Sequence, residues 1–394
     1  MNPLISPAEA TKHITDSLVT TETEVVNLND ALNRVLAQDI VADRDSPPFD
    51  RVMMDGICIN TYNHILGSWR YKIIGTQAAG EKKMLLPKGE FTIEVMTGAP
   101  LPTDANCVIP VEQIDIVDGY ALPHDGIDAD DYQFIHRQGS DCKQGEIILE
   151  KGTVLTANEL AILASLGATE IKVSRLPKIQ LLTTGDEVIA PEETPTDYQI
   201  RRSHPSAIRG LIDANKLGEI SDQHLTDDPE AIESAIATAL ESNDVLILTG
   251  GISMGKFDWV APLLKKLLGE PAFHGVSQRP GKPFAFWKPT ETSPVVFALP
   301  GNPVSVMATM HRYVLPALKQ MLGQPLKTQK VSLAEDFQWN TPLTGILAYR
   351  LQDGKALICP PSNSGNHLAL KGSQGFAQIS PSSLHKADSL VEIF

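Results

Sequence analysis

The stretch DVLILTGGISMGKFD, residues 244 to 258, decides how the chain folds. An uninterrupted apolar run, Val245 to Leu248, gives way to a threonine and two glycines, and helical sequence follows. A short run of this kind suits a strand covered on both faces, the environment of a parallel sheet. Working outward, KIQLLTT, EISDQHL and VVFALPG repeat the strand signal. SAIRGLIDANKLG, PEAIESAIATALES, FDWVAPLLKKLLG and PVSVMATMHRYVLPALKQML supply the helices that alternate with them. Strands and helices alternating in this order imply right-handed crossovers. Residues 177–326 are therefore expected to form a doubly wound, mostly parallel α/β domain.

The flanking sequence has a different rhythm. SPAEATKHI offers Ser6 as N-cap, Pro7 at the first helical position and Glu9 three residues after the cap, a capping box. NDALNRVLAQ follows as a second amphipathic piece, and TANELAILASLG repeats the box with Thr156 and Glu159 before a stop at Gly167. Between them lie short β-like runs, YKIIG, EFTIEVMTG, CVIPVEQ, QIDIVDGYAL and YQFIHRQG, separated by Gly, Pro and Asp. These signals give a split helical domain over 1–45 and 146–176, interrupted by an inserted β-rich domain over 46–145. From QKVSLAEDF onward the pattern is again β-like, a small C-terminal β domain over 327–394. The fold class expected is multidomain, α/β plus β.

The formal net charge of −15, from 33 basic and 48 acidic residues, argues against non-specific nucleic-acid binding, which relies on clustered Lys and Arg. It leaves room for an anionic small substrate in a locally positive pocket. No apolar run approaches the ~18 residues of a membrane span, and the N-terminus lacks the basic and apolar regions of a signal peptide. Four scattered cysteines without paired metal spacing fit reduced thiols, and so a cytoplasmic protein. His13, His64 and His124 read as solvated, and the absence of H-E-x-x-H and C-x-x-C argues against zinc.

In an open parallel sheet, ligands bind beyond the carboxyl ends of the strands. Those ends carry TTGDE (183–187), TDDP (226–229), TGGISMGKFD (249–258) and LPGNP (299–303), with RPGKP (279–283) as a turn into a further strand. The loop from Gly250 and Gly251 through Ser253 to Gly255 can expose successive backbone N–H groups as an anion cradle, although a tight βα turn needs the same glycines. It lacks the G-K-[ST] ending of a Walker loop. Asp228 is expected to cap a helix that begins at Pro229, leaving Asp227 free. Asn302 and Pro303 repeat that arrangement after Gly301. Asp186, Glu187 and Asp258 have no capping role, and carboxylates beside anion-binding loops commonly hold Mg²⁺ between protein and phosphate. Arg279 and Lys282 can supply fixed positive charge.

Taken in order, PPFD…MDG, MTGAPLP, TTGDE, TGGISMG, RPGKPFAF and LPGNPVS resemble the molybdopterin molybdenumtransferases, the MoeA family that includes the gephyrin E domain. The resemblance runs over essentially the whole chain. It implies an elongated homodimer whose active site lies between the α/β domain of one subunit and the inserted domain of the other. The implied activity is Mg²⁺-dependent insertion of molybdate into adenylylated molybdopterin with release of AMP. The partners it implies are the molybdopterin adenylyltransferase and the maturation factors of molybdoenzymes, with no nucleic acid and no membrane. A binding or scaffold protein for molybdopterin or a nucleotide is the second reading.

Carried over position by position, the resemblance places Asp55, Thr97 and Asp141 across the dimer, acting on molybdate and its insertion. Glu187, Asp258 and Lys282 join them as catalytic positions, and Asp186, Glu187 and Asp258 as Mg²⁺ ligands. Asp227 or Asp228, Pro300, Pro303 and Arg350 fall on further functional positions. The chain departs from its relatives at Arg51, Val52 and Met53, at Arg201, Arg202 and His204, around Gly275 in FHGVSQ, and in SNSGNHLAL.

Overall fold

The run at 245–248 lies inside a six-stranded sheet, ordered Glu219–Leu225, Lys178–Thr184, Val245–Thr249, Val295–Leu299, Ala285–Trp287 and Phe273–His274. The computed structural model describes residues 4–63, 69–252 and 258–394. The first four strands are parallel, and the last two are antiparallel to their neighbours and close one edge. The sheet is thus mixed, with a parallel heart.

Its burial explains the apolar run. Val245 and Ile247 join Ile179, Leu181, Val295 and Phe297 on one face, beneath Ile208, Ile212 and Val306 of helices His204–Ala214 and Pro303–Thr309. Leu246 and Leu248 join Leu182, Val296 and Ala298 on the other face, beneath Ile232 and Ile236 of Pro229–Ser242 and Val260 and Leu264 of Val260–Leu268. Side chains alternate as strand geometry demands, but both directions meet a helix layer, so no polar residue is admitted. Each fully buried aliphatic side chain contributes about 1.5–3 kcal/mol, so these strands anchor the sheet. Within the Met-rich segment, Met310 is fully buried, and a single π turn over Met310–Val314 joins Pro303–Thr309 to Leu315–Met321.

This sheet belongs to a compact unit of Met1–Gln38, Lys151–Ala161 and Ala168–Phe394. The same unit holds a second sheet in which Gln278–Arg279 pairs parallel with Thr344–Gly345 at the start of the long strand Thr344–Gln352. Gly375–Ile379, Leu390–Ile393 and Gln329–Ser332 continue it antiparallel. Val304 and Ala308 pack with Ile346, Ala348 and Phe376, so the two sheets share a core.

The expected helices near the N-terminus are only partly present. Ser6 and Glu9 form the full capping box of Pro7–Thr15. NDALNRVLAQ is not an amphipathic helix: after a 3₁₀ turn at Leu28–Asp30 it makes a further turn and then isolated bridges, Val35 with Val154 and Leu36 with Val173. Asn33 takes a positive φ of 61°, and the N–H groups of Asn33 and Leu36 donate to Leu155 and Thr153 carbonyls. Tertiary pairing there overrides a weak helical periodicity. The neighbouring Thr23–Asn27 and Glu170–Ser174 form an antiparallel pair, so this part of the chain is mixed rather than helical.

The other compact unit, Asp39–Glu150 and Ile162–Gly167, is built on a separate sheet. Its order is Cys107–Pro110, Gly56–Ile59, Phe91–Val95, Tyr71–Gln77, Tyr120–Pro123 and Ile114–Val117. QIDIVDGYAL becomes a hairpin, with Asp118 and Gly119 both at positive φ in the two-residue turn.

Candidate active site

Register fixes where the parallel strands end. Thr184 lies beside Leu225, Thr183 beside Thr249, and Thr249 beside Leu299, so four post-strand loops emerge along one sheet edge. They surround a cleft of about 930 Å³. Glu187, Asp227, Asp258, Gly250 and Gly251 line it, with Pro300, Gly301, Asn302 and Pro303 on the neighbouring wall. Ser253 and Gly255 lie outside the described residues, as does His64.

The glycines shape this edge. Gly250 and Gly251 have φ values of 91° and 63°. A Cβ on Gly251 would stand 2.7 Å from Val260 Cγ2, and one on Gly250 3.0 Å from Thr184 Oγ1. Only residues without a side chain allow the turn to lie this close to the helix and strand. Gly301 faces the same turn, since its Cβ would lie 3.5 Å from Gly250 Cα.

The acids are not equivalent. Asp228 caps Pro229–Ser242 by accepting from the Glu230 N–H at 3.0 Å. Asp227 faces the cleft instead, and its N–H donates to Asp186 Oδ1 at 3.0 Å. Asp186 thereby braces one loop against the next and is not among the cleft-lining residues. Burial raises the Asp227 carboxyl above the usual range, and the nearby charges of Asp186 and Glu187 add to the shift. Among the described residues no three His, Cys, Asp or Glu side chains converge closely enough to form a metal site by themselves.

Further residues enter the cleft without a prior site assignment. His204 Nδ1 lies 3.1 Å from Thr249 Oγ1. Burial, reinforced by His367, pushes the His204 imidazole down to about 4, so it is neutral at pH 7. Arg201 and Arg202 line the same cleft, and His367 enters it from the C-terminal sheet region. The sequence signal for these residues was confined to their departure from the family pattern.

A second cavity of about 460 Å³ adjoins the first and shares Pro283, Pro300 and Asn302 with it. Among the described residues, Arg279 and Lys282 are its only charged lining residues, and Trp339, Pro360 and Ser364 close it from the C-terminal side. Asn302 stands at the N-cap position of Pro303–Thr309, but its side chain does not cap the helix. Its Nδ2 donates to Ser364 Oγ at 2.9 Å, while the Ser364 carbonyl accepts the Val304 N–H at 3.0 Å. Arg350 lies outside both cavity linings and donates to the Lys371 carbonyl.

The second compact unit carries its own polar constellation. Asp55 accepts from the Thr97 N–H at 2.7 Å and the Thr97 hydroxyl at 2.9 Å, which together hold its carboxyl below the usual range. Gly56 has a packing reason: a Cβ there would lie 2.0 Å from the Ile109 carbonyl oxygen across the paired strand. Asp141 Oδ1 lies 2.7 Å from His136 Nε2, and Arg51 Nη2 lies 3.0 Å from His136 Nδ1. Of the departing residues, Val52 is buried in the unit's core, Arg51 is engaged with His136, and Met53 is half exposed.

Residues 5–167 match the family model described as the MoeA N-terminal region (domain I and II). Residues 180–320 match a probable molybdopterin binding domain. A molybdopterin molybdenumtransferase of Synechocystis sp. is 36% identical over 359 residues, covering 90% of each chain. The chain belongs to the molybdopterin molybdenumtransferase family. This is a family of transferases in molybdenum cofactor biosynthesis. A second family member, from Haemophilus influenzae, is 33% identical, covering 77% of this chain and 74% of its own. Among solved structures, a molybdopterin biosynthesis MoeA protein from Pyrococcus horikoshii OT3 superposes with a TM-score of 0.86 at 27% identity, over 100% of both chains. The mixed α/β fold is therefore that of the family. No helix among the described residues is long and apolar enough to cross a membrane.

Proposed function

We propose that the protein inserts molybdate into adenylylated molybdopterin, releasing AMP, in a Mg²⁺-dependent step. The observation that carries this reading is the joining of two cavities that differ in charge. One carries both signs, lined by Glu187, Asp227 and Asp258 together with Arg201 and Arg202, while among the described residues the charged lining of the other is Arg279 and Lys282 alone. A substrate with a phosphate arm and an oxoanion co-substrate needs both kinds of environment.

The donor chemistry fits the metal. Glu187, Asp227 and Asp258 offer hard carboxylate oxygens, and burial raises the Asp227 carboxyl, with the charges of Asp186 and Glu187 adding to the shift. Mg²⁺ is commonly held by one or two carboxylates together with substrate phosphates, so a complete protein cage is not required. When bound, Mg²⁺ would neutralise phosphate charge. Gly250 and Gly251 admit the phosphate arm close to the backbone, and Arg279 with Lys282 orients the oxoanion. His204, neutral and set against Thr249, offers a hydrogen bond without adding charge.

We further propose a four-part layout with the bounds set out above, its split domain mixed rather than helical, and a homodimer in which Asp55, Thr97 and Asp141 of one subunit serve the cleft of the other. The test is to incubate the protein with adenylylated molybdopterin, molybdate and Mg²⁺, follow AMP release, and measure the solution mass. AMP release that depends on both molybdate and Mg²⁺ is expected, from a species of dimeric mass. Tight ligand binding without AMP above background overturns the activity, and a monomer at micromolar concentration overturns the shared site.

A further inference from the structure

Arg51 and His136 face each other across an antiparallel pair of strands, Arg51–Val52 and Ile135–His136. The imidazole is held at both nitrogens, by Arg51 Nη2 at 3.0 Å from Nδ1 and by Asp141 Oδ1 at 2.7 Å from Nε2. A guanidinium has only donors and does not deprotonate in proteins. Nδ1 must therefore present its lone pair, and the ring proton sits on Nε2, directed at the carboxylate. The contact between His136 and Asp141 is then a neutral N–H donating to a carboxylate, not an ion pair. Asp141 is fixed a second time through its backbone, whose N–H donates to the Ser46 carbonyl at 2.9 Å.

We propose that Arg51 is a positioning residue that acts through His136 to aim the Asp141 carboxylate. This rests on the reading of Asp141 as an acid of the shared site. Arg51 sets the tautomer, so the Nε2 proton points at Asp141 and fixes the direction of its carboxylate. Without Arg51 the ring is free to take the other tautomer, whose Nε2 lone pair would face the carboxylate, and Asp141 loses its aim. The other charged groups nearby are committed elsewhere. Asp50 accepts the Gln138 N–H, Asp45 accepts from the Gln138 side chain and the Gln144 N–H with Lys143 beside it, and Arg137 lies over the Tyr132 ring.

The test uses the full-length protein with ¹⁵N-labelled histidine, His136 being assigned from the His136→Gln spectrum. At pH 8 an unprotonated Nδ1 and a protonated Nε2 are expected, and a mixture of the two neutral tautomers in Arg51→Ala. In AMP-release assays at that pH, Arg51→Ala should lose kcat on the order of 10-fold, with KM for adenylylated molybdopterin unchanged. Arg51→Gln, which retains an N–H donor, should recover much of the loss. A native His136 that carries its proton on Nδ1 overturns the tautomer lock, as does a ring in Arg51→Ala that behaves like the native one. Full activity in Asp141→Asn with the lock intact overturns instead the role of Asp141, and with it the catalytic consequence of Arg51.

Discussion

The cleft at the sheet edge and the Asp55–Asp141 constellation both present carboxylates, and they treat them in opposite ways. In the cleft Asp227 is crowded by burial and by the charges of Asp186 and Glu187, so its ionised form is penalised. In the second unit Asp55 takes two donors from Thr97, and its ionised form is favoured. The first arrangement holds a carboxylate whose charge is disfavoured where it stands, the property expected of a place that receives a cation. The second is complete by itself and presents an anion of fixed direction. One region is prepared to bind, the other to point.

Removing a cleft acid tests the first half of that contrast most severely. Asp258→Ala is expected to lower the rate of AMP release by about 10²–10³-fold, the loss typical of a group that supports charge in the reacting complex. A native-like, Mg²⁺-dependent rate in this variant would remove Asp258 from the site. The next largest effect is on stability in the second unit. Gly56→Ala forces a Cβ to within 2.0 Å of the Ile109 carbonyl oxygen and should cost about 2–4 kcal/mol, read from a lowered urea midpoint. An unchanged midpoint would show that the strand pair yields easily, and that the direction of the Asp55 carboxylate is not fixed.

The smallest effect separates the two environments most cleanly. A carboxyl raised in the folded state binds more protons than it does unfolded, so its contribution makes stability fall as pH rises from the unfolded value through the folded one. At neutral pH Asp227 therefore costs the metal-free protein stability, and Asp227→Asn should raise Tm by about 1–2 °C while reducing activity. Added Mg²⁺ should stabilise this variant less than the native chain. A lower Tm for Asp227→Asn at pH 7 would show that the Asp186 and Asp227 loops depend on the charge that burial penalises.

The two regions also differ in how far the sequence discloses them. The cleft follows from topology: buried apolar strands, each ending in a loop with glycine or acid, place their chemistry on one edge once the strands are parallel. Asp228 was recognisable as a cap because Pro229 follows it, which left Asp227 as the residue to face the ligand. The braces were not legible. Asp186 looks as available as Glu187 until its bond to the Asp227 N–H is seen, and Asn302 occupies a cap position while its side chain turns to Ser364. In the second unit the distances along the chain are larger. Nothing in HRQGSD announces that His136 is held by a residue 85 positions earlier, because hydrogen bonds between distant segments leave no periodicity. NDALNRVLAQ failed for the same reason in reverse: its periodicity was real but weaker than the tertiary pairing of Asn33, Val35 and Leu36 with distant segments.

The bond from Asn302 to Ser364, with the Val304 N–H on the Ser364 carbonyl, has a bearing on folding cooperativity. The helix that opens beside the cleft begins on backbone supplied by the loop between the strands Lys355–Ile358 and Gly375–Ile379, and Val304 and Ala308 share their packing with Phe376. Residues 327–394 are consequently no detachable appendage. Opening them would fray that helix from its first turn and expose its amide protons to exchange, so the integrity of the cleft and the closure of the C-terminal sheet report on one event.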